Sequence, residues 1–102
     1  LAIVRYAKRA EADLIGIASF TARTWGAAQV DAYLTMLEEC CGSLGVNPLL
    51  GRACDEVRPG LRRMEVGRHV VFYRVRTKSI LVVRVLHRAM LPGQWNMGEG
   101  KS

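Results

Sequence analysis

Metal ligands are scarce in this chain. It has two histidines and three cysteines. Cys40 and Cys41 are adjacent and Cys54 stands apart, so there is no C-x-x-C pair. A zinc knuckle and a thioredoxin motif are excluded on spacing. No carboxylate lies at a spacing from His69 or His87 that would build a metal cage, and no metal or cofactor is expected. An odd number of thiols without a disulfide framework reads as reduced cysteine in a cytoplasmic protein. No apolar run exceeds four residues, as in Ile80-Leu81-Val82-Val83. A membrane span needs about 20, so no membrane role is expected, and no signal-peptide pattern opens the chain. The glycine-rich phosphate loops G-x-x-x-x-G-K and G-x-G-x-x-G are absent. Aromatics make up 7% of the residues, few for a platform that stacks single-stranded bases.

What is present is a globular balance. The 102 residues are 50% hydrophobic and 24% charged, enough for one domain with a core that needs no staple. We place that domain at residues 1–95 and expect residues 96–102 to be a disordered tail. The net charge of +6 is unevenly spread. Residues 1–57 carry five Lys/Arg against seven Asp/Glu, and residues 58–102 carry ten against two. A basic half implies an anionic partner, either nucleic acid or an acidic protein.

The pattern predicts an α+β fold of order β-α-α-β-β-β. Leu1–Tyr6 is rich in strand formers and should lie at the sheet edge or beside the last strand. Ala7, Ala10, Leu14, Ile17, Ala18, Thr21 and Trp25 form one helical stripe, and Gly26 suits its end. Ala27, Val30, Leu34, Leu37, Cys41 and Leu44 form a second, ended by Gly42, Gly45 and Asn47-Pro48. So short a joint folds the two helices back on each other. Residues 45–60 read as one irregular connection, long enough to be a candidate functional segment. Leu61–Val66, His69–Arg76 and Ser79–His87 are then strands of an antiparallel meander joined by two-residue turns, pairing Val66 with His69 and Arg76 with Ser79. In a regular meander Met64, Val71, Tyr73, Ile80, Val82 and Leu86 face the helices. Leu61, Arg63, Phe72, Arg74, Arg76, Val85 and His87 face away, and a bulge would swap part of that assignment.

Few groups can do chemistry. His87 beside Arg84 and Arg88 could act on a phosphodiester, whereas His69 reads as structural. Arg84 and His87 are an odd number of residues apart, so a regular strand sends them to opposite faces. The face holding Leu61, Arg63, Phe72, Arg74 and Arg76 mixes apolar and basic residues and suits an acidic, partly apolar peptide. Its single aromatic argues against base stacking, and no sequence-specific nucleic-acid binding is expected.

Trp25-Gly26, Asn47-Pro48, Gly51-Arg52 and Val57-Arg58-Pro59-Gly60 occur in that order. They are followed by His69-Val70-Val71-Phe72-Tyr73-Arg74-Val75 and by Arg84-Val85-Leu86-His87-Arg88-Ala89-Met90. From about Ile3 to Met90 the chain resembles the ParE toxins of the RelE/ParE superfamily, the toxic half of bacterial type II toxin–antitoxin modules. The resemblance implies a cytoplasmic growth inhibitor, carried in plasmid-stabilisation systems among others. It would act on DNA gyrase and be held in a hetero-oligomer by a ParD-like antitoxin. Leu61, Arg63, Phe72, Arg74 and Arg76 would meet the antitoxin, and Arg84, His87, Met90 and Trp95 the target. RelE-type relatives instead cut messenger RNA on the ribosome, a role for which His87 and Arg88 are the available catalytic residues. The chain has no Tyr after Tyr73, and Val66-Gly67 stands where a basic pair is expected. A protein inhibitor of a topoisomerase therefore fits better than a ribonuclease, with an inactive antitoxin-binding decoy as the other alternative. After Met90 comes Leu91-Pro92-Gly93-Gln94-Trp95, where ParE chains usually carry an acid and then a basic, hydrophobic tail.

Overall fold

The computed structural model describes residues 2–89. Two helices, α1 (Lys8–Trp25) and α2 (Ala27–Val46), follow the first strand, β1 (Ile3–Tyr6). Then come β2 (Arg52–Ala53), β3 (Leu61–Val66), β4 (His69–Val75) and β5 (Ser79–His87). The five strands make one sheet in the order β1-β5-β4-β3-β2. The meander β3-β4-β5 is antiparallel with Val66 opposite His69, as the two-residue turn requires. Arg76 N–H donates to Ser79 O across the second turn. β1 lies at the edge, parallel to β5 and paired from Ile3–Ser79 to Tyr6–Val82.

Both helical stripes face the sheet. Ala10, Ile17, Leu37, Cys41 and Leu44 are buried with Val71, Tyr73, Ile80 and Val82 in one core. Gly26, at φ 94, makes the joint between the helices in a conformation that side chains resist. α2 runs to Val46, past both glycines expected to end it. Gly45 is there for contact: a Cβ on it would stand 2.7 Å from the Ala2 carbonyl oxygen. Ala2 N–H donates to Gly45 O, tying β1 to the helix.

The connection after α2 is more ordered than its glycines and prolines suggest. β2 pairs with β3 through Arg52–Arg63 and Ala53–Arg62. The buried Tyr73 hydroxyl donates to Pro48 O at 2.8 Å and accepts Gly51 N–H at 3.0 Å, pinning the segment to the sheet. Cys54 and Val57 then close over the face away from the helices, where Leu61, Val70, Phe72, Val83 and Leu86 form a second core.

Candidate functional site

Where the helical hairpin nears its joint it stands off the sheet. A groove of about 1020 Å³ opens between α1, α2, the β3–β4 turn and the end of β5. Ile17, Phe20 and Trp25 line it from α1, Tyr33 and Met36 from α2, and Val85 from β5. Gly16 also lines the groove, with nothing within 4 Å of where its Cβ would be, so its missing side chain keeps that wall open. Phe20 and Trp25 are each 54% exposed. Large side chains left wet beside a concave apolar wall mark a binding surface.

One end of the groove is polar. Tyr33, Arg68, His69 and His87 meet there. The Arg68 guanidinium lies 5.1 Å from the centre of the Trp25 ring, a cation–π contact at the rim. The Tyr33 hydroxyl accepts Arg68 N–H at 2.9 Å and stands 2.6 Å from His69 Nδ1. The His69 and His87 rings meet edge to face, with centroids 5.3 Å apart. Burial, followed by the charges of His87 and Arg68, pulls the His69 pKa down to about 4, so its ring is neutral at pH 7.

A bidentate ion pair sits beside these rings. Arg84 Nε and Nη2 donate to the Asp13 carboxylate at 2.8 and 2.9 Å. The same carboxylate accepts Val85 N–H at 2.9 Å. The pairing of β4 with β5 slips here: Phe72 stands opposite Arg84, but Tyr73 stands opposite Val82. Val83 is the extra residue of this β-bulge, and Asp13 binds the backbone next to it. The bulge corrects two expectations. Val85 turns to the helix-side core and Leu86 to the other, the reverse of the regular assignment. Arg84 and His87, expected on opposite faces, line one groove.

The mixed face expected to receive an acidic peptide is partly covered in the free chain. Leu61 and Phe72 are 0% and 2% exposed, because the segment carrying Cys54 and Val57 packs over them. Arg63 lies over the Phe72 ring and pairs with Glu65 at 2.9 Å. Arg74 donates to Pro59 O at 2.8 Å. Arg76 is exposed, and Val75 before it is 43% exposed. Arg88 is exposed next to the groove, its N–H donating to Arg68 O. Met90, Trp95 and the tail at 96–102 lie outside the described residues.

Sequence reasoning missed Asp13, Phe20, Tyr33, Met36 and Arg68. The signal for α1 was an apolar surplus: Ile15 and Phe20 stand off the buried stripe and are 71% and 54% exposed. Tyr33 and Met36 lie one helical turn apart beside Leu34 and Leu37, which widens the apolar face of α2.

Two polar groups of the groove are already engaged. Arg84 is committed to Asp13, and His69 is held neutral by burial. Elsewhere, burial pushes the Cys40 thiol up to about 11 and raises Cys41 and Cys54 as well, so these thiols are poor nucleophiles. Among the described residues no group of three or more His, Cys, Asp or Glu could hold a metal ion. No described helix is long and apolar enough to cross a membrane.

Comparison with known proteins agrees with this architecture. Residues 4–92 match the family model for the ParE toxin of the type II toxin–antitoxin system parDE. Toxin ParE1 of Mycobacterium tuberculosis (strain H37Rv) is 44% identical over 82 residues, covering 79% of this chain and 84% of the relative. Toxin ParE1 of Caulobacter vibrioides is 36% identical over 86 residues, covering 84% and 88%. A chain of the solved chromosomal ParDE system from P. aeruginosa superposes with a TM-score of 0.74 at 19% identity, over 84% of this chain and 95% of that one. That last likeness is one of fold, and it fits the strand, helical hairpin and meander described above. With the family model spanning nearly the whole described domain and close relatives matched along most of their length, the chain belongs to the ParE toxin family of type II toxin–antitoxin systems.

Proposed function

We propose that this protein inhibits DNA gyrase and is neutralised by a ParD-like antitoxin, whose apolar and acidic segment fills the groove between the helical hairpin and the sheet. The observation that carries the antitoxin half is the groove itself. An exposed aromatic wall with Phe20 and Trp25 ends in the cationic Arg68, on a chain of net charge +6. An amphipathic segment with an acidic residue near that end complements both features, and a disordered antitoxin tail could order itself on this wall. The face holding Leu61 and Phe72 offers less, since both are covered in the free chain. The gyrase half rests on family membership and on the commitment of Arg84 to Asp13, which leaves His87 without that arginine for phosphodiester chemistry.

Supercoiling of relaxed plasmid by purified gyrase tests the proposal. The toxin should block it and trap cleaved DNA, and adding the antitoxin encoded beside it should restore supercoiling. Undiminished supercoiling, together with toxin-dependent cuts in ribosome-bound messenger RNA that disappear in His87→Ala, would overturn it in favour of the ribonuclease. Antitoxin binding without either effect would mark a decoy.

A further inference from the structure

The sheet has a second exposed apolar end. The groove lies where β3 turns into β4, at the Val66–His69 end of their ladder. At the other end of that ladder, beside the Leu61–Arg74 pair, the chain leaves α2 and runs toward β2. Val46, Leu49, Leu50 and Val75 are all exposed, Leu49 by 66%. The segment that carries the two leucines is fixed. The Tyr73 hydroxyl bonds Pro48 O and Gly51 N–H, and Arg62 Nη2 donates to Gly51 O at 2.6 Å. A pinned backbone that holds large apolar side chains in water is a preformed contact surface.

Leu49 and Val75 line a cleft of about 190 Å³, together with Ala53, Leu61 and Arg62. Arg62 gives the cleft its chemistry. Its Nη2 is taken by the Leu49 and Gly51 carbonyls, while its Nε is buried and has no acceptor among the described residues. A buried guanidinium N–H without an acceptor is unfavourable. A carboxylate answers both the N–H and the positive charge. Asp55 also lines the cleft, but its Oδ1 accepts Gly60 N–H at 2.7 Å. Arg76 and Lys78, exposed just after Val75, add to the positive charge of this end. Two copies of the chain meeting here about a two-fold axis would set these cations against each other, so a second copy is a poor occupant.

We propose that this end of the sheet is a second docking surface, which holds the protein that the toxin inhibits. Leu49, Leu50 and Val75 meet apolar residues of that target, and a carboxylate of the target enters the cleft to Arg62. The proposal rests on the reading that the toxin acts by binding another protein, and it leaves the groove to the antitoxin. Because the two surfaces lie at opposite ends of the strands, a variant can lose one contact and keep the other.

Three variants of the full chain test it. Leu49→Asp and Val75→Asp put a negative charge beside the cleft, and Arg62→Gln removes the cation but keeps an amide donor. Each is scored for growth arrest on induction, for inhibition of supercoiling by purified gyrase, and for affinity for the co-encoded antitoxin. Growth arrest should be lost, and the half-inhibiting concentration should rise about tenfold or more, as for a central interface contact. Antitoxin affinity should match the wild type, which also shows that the variants are folded. Phe20→Asp, in the groove, should do the reverse. If Arg62→Gln loosens the Leu49–Gly51 segment, Leu49→Asp decides, since that side chain is exposed and folding does not depend on it. Unchanged growth arrest by Leu49→Asp and Val75→Asp overturns the proposal. So does a fall in their antitoxin affinity, which would give this surface to the antitoxin. A wild type that arrests no growth has no target to dock and overturns it as well. If cells arrest but purified gyrase is untouched, the gyrase reading fails alone, and the growth assay still decides the surface.

Discussion

Asp13 serves three donors at once: Arg84 Nε, Arg84 Nη2 and Val85 N–H. The Arg84 and Asp13 side chains are 12% and 14% exposed, so the pair is nearly out of water. Removing one partner leaves a buried charge uncompensated, which costs about 3–5 kcal/mol. Asp13→Ala should therefore lose that much stability in urea unfolding, whereas Asp13→Leu with Arg84→Met should recover much of it. A loss below about 1 kcal/mol for the single variant would show that water, and not Asp13, satisfies Arg84. His69 gives a pH prediction. Its folded pKa, about 4, lies below its ordinary 6.5, so the unfolded chain takes the proton first as pH falls. The contribution is full above 6.5 and is lost progressively down to about 4. The slope is at most about 1.4 kcal/mol per pH unit and is reduced because the ring is only partly buried. Acid unfolding of His69→Asn should be shallower than wild type between these values; parallel curves would contradict the assignment.

The elements differ in how much of them could be read. Hydrophobic stripes at helical spacing located α1 and α2, because burial against a sheet demands that period. The two-residue turns gave the meander its register. Leu37, on the predicted stripe, is 1% exposed, and Leu37→Ala should cost about 2–5 kcal/mol. A loss below about half a kcal/mol in thermal or urea unfolding would mean that the stripe does not bear on the core. What escaped the sequence was whatever depends on a partner element. The bulge at Val83 shows only through the strand opposite and through Asp13 on α1. Gly45 and Gly51 look like breaks, yet they admit the Ala2 and Arg63 carbonyl oxygens to distances that a Cβ forbids. β2 is two residues long, too short for alternation to reveal. One slipped residue in β5 was enough to exchange the faces of Val85 and Leu86 and to bring Arg84 and His87 together.

At the scale of the molecule, the order of elements and the charge asymmetry were legible, while the groove was not. An alternating strand with arginines on one side reads as a half-open face, and periodicity cannot tell whether a loop will close over it. Here Cys54 and Val57 do so over Leu61 and Phe72, and on the opposite side the groove leaves Phe20, Trp25 and Met36 exposed. The groove exists because α1 carries more apolar side chains than its contact with the sheet consumes. Its polar end exists because a hairpin turn places Arg68 and His69 beside Tyr33 of α2. The proposed antitoxin site therefore lies on the helix side of the sheet. Amide hydrogen exchange on the toxin, free and bound to its co-encoded antitoxin, tests that assignment most directly. Protection should rise at residues 15–25 of α1, at the Gly67-Arg68 turn and at the end of β5, with little change at residues 61–63 and 72–76. Protection confined to residues 61–63 and 72–76, with the groove exchanging as in the free protein, would contradict it.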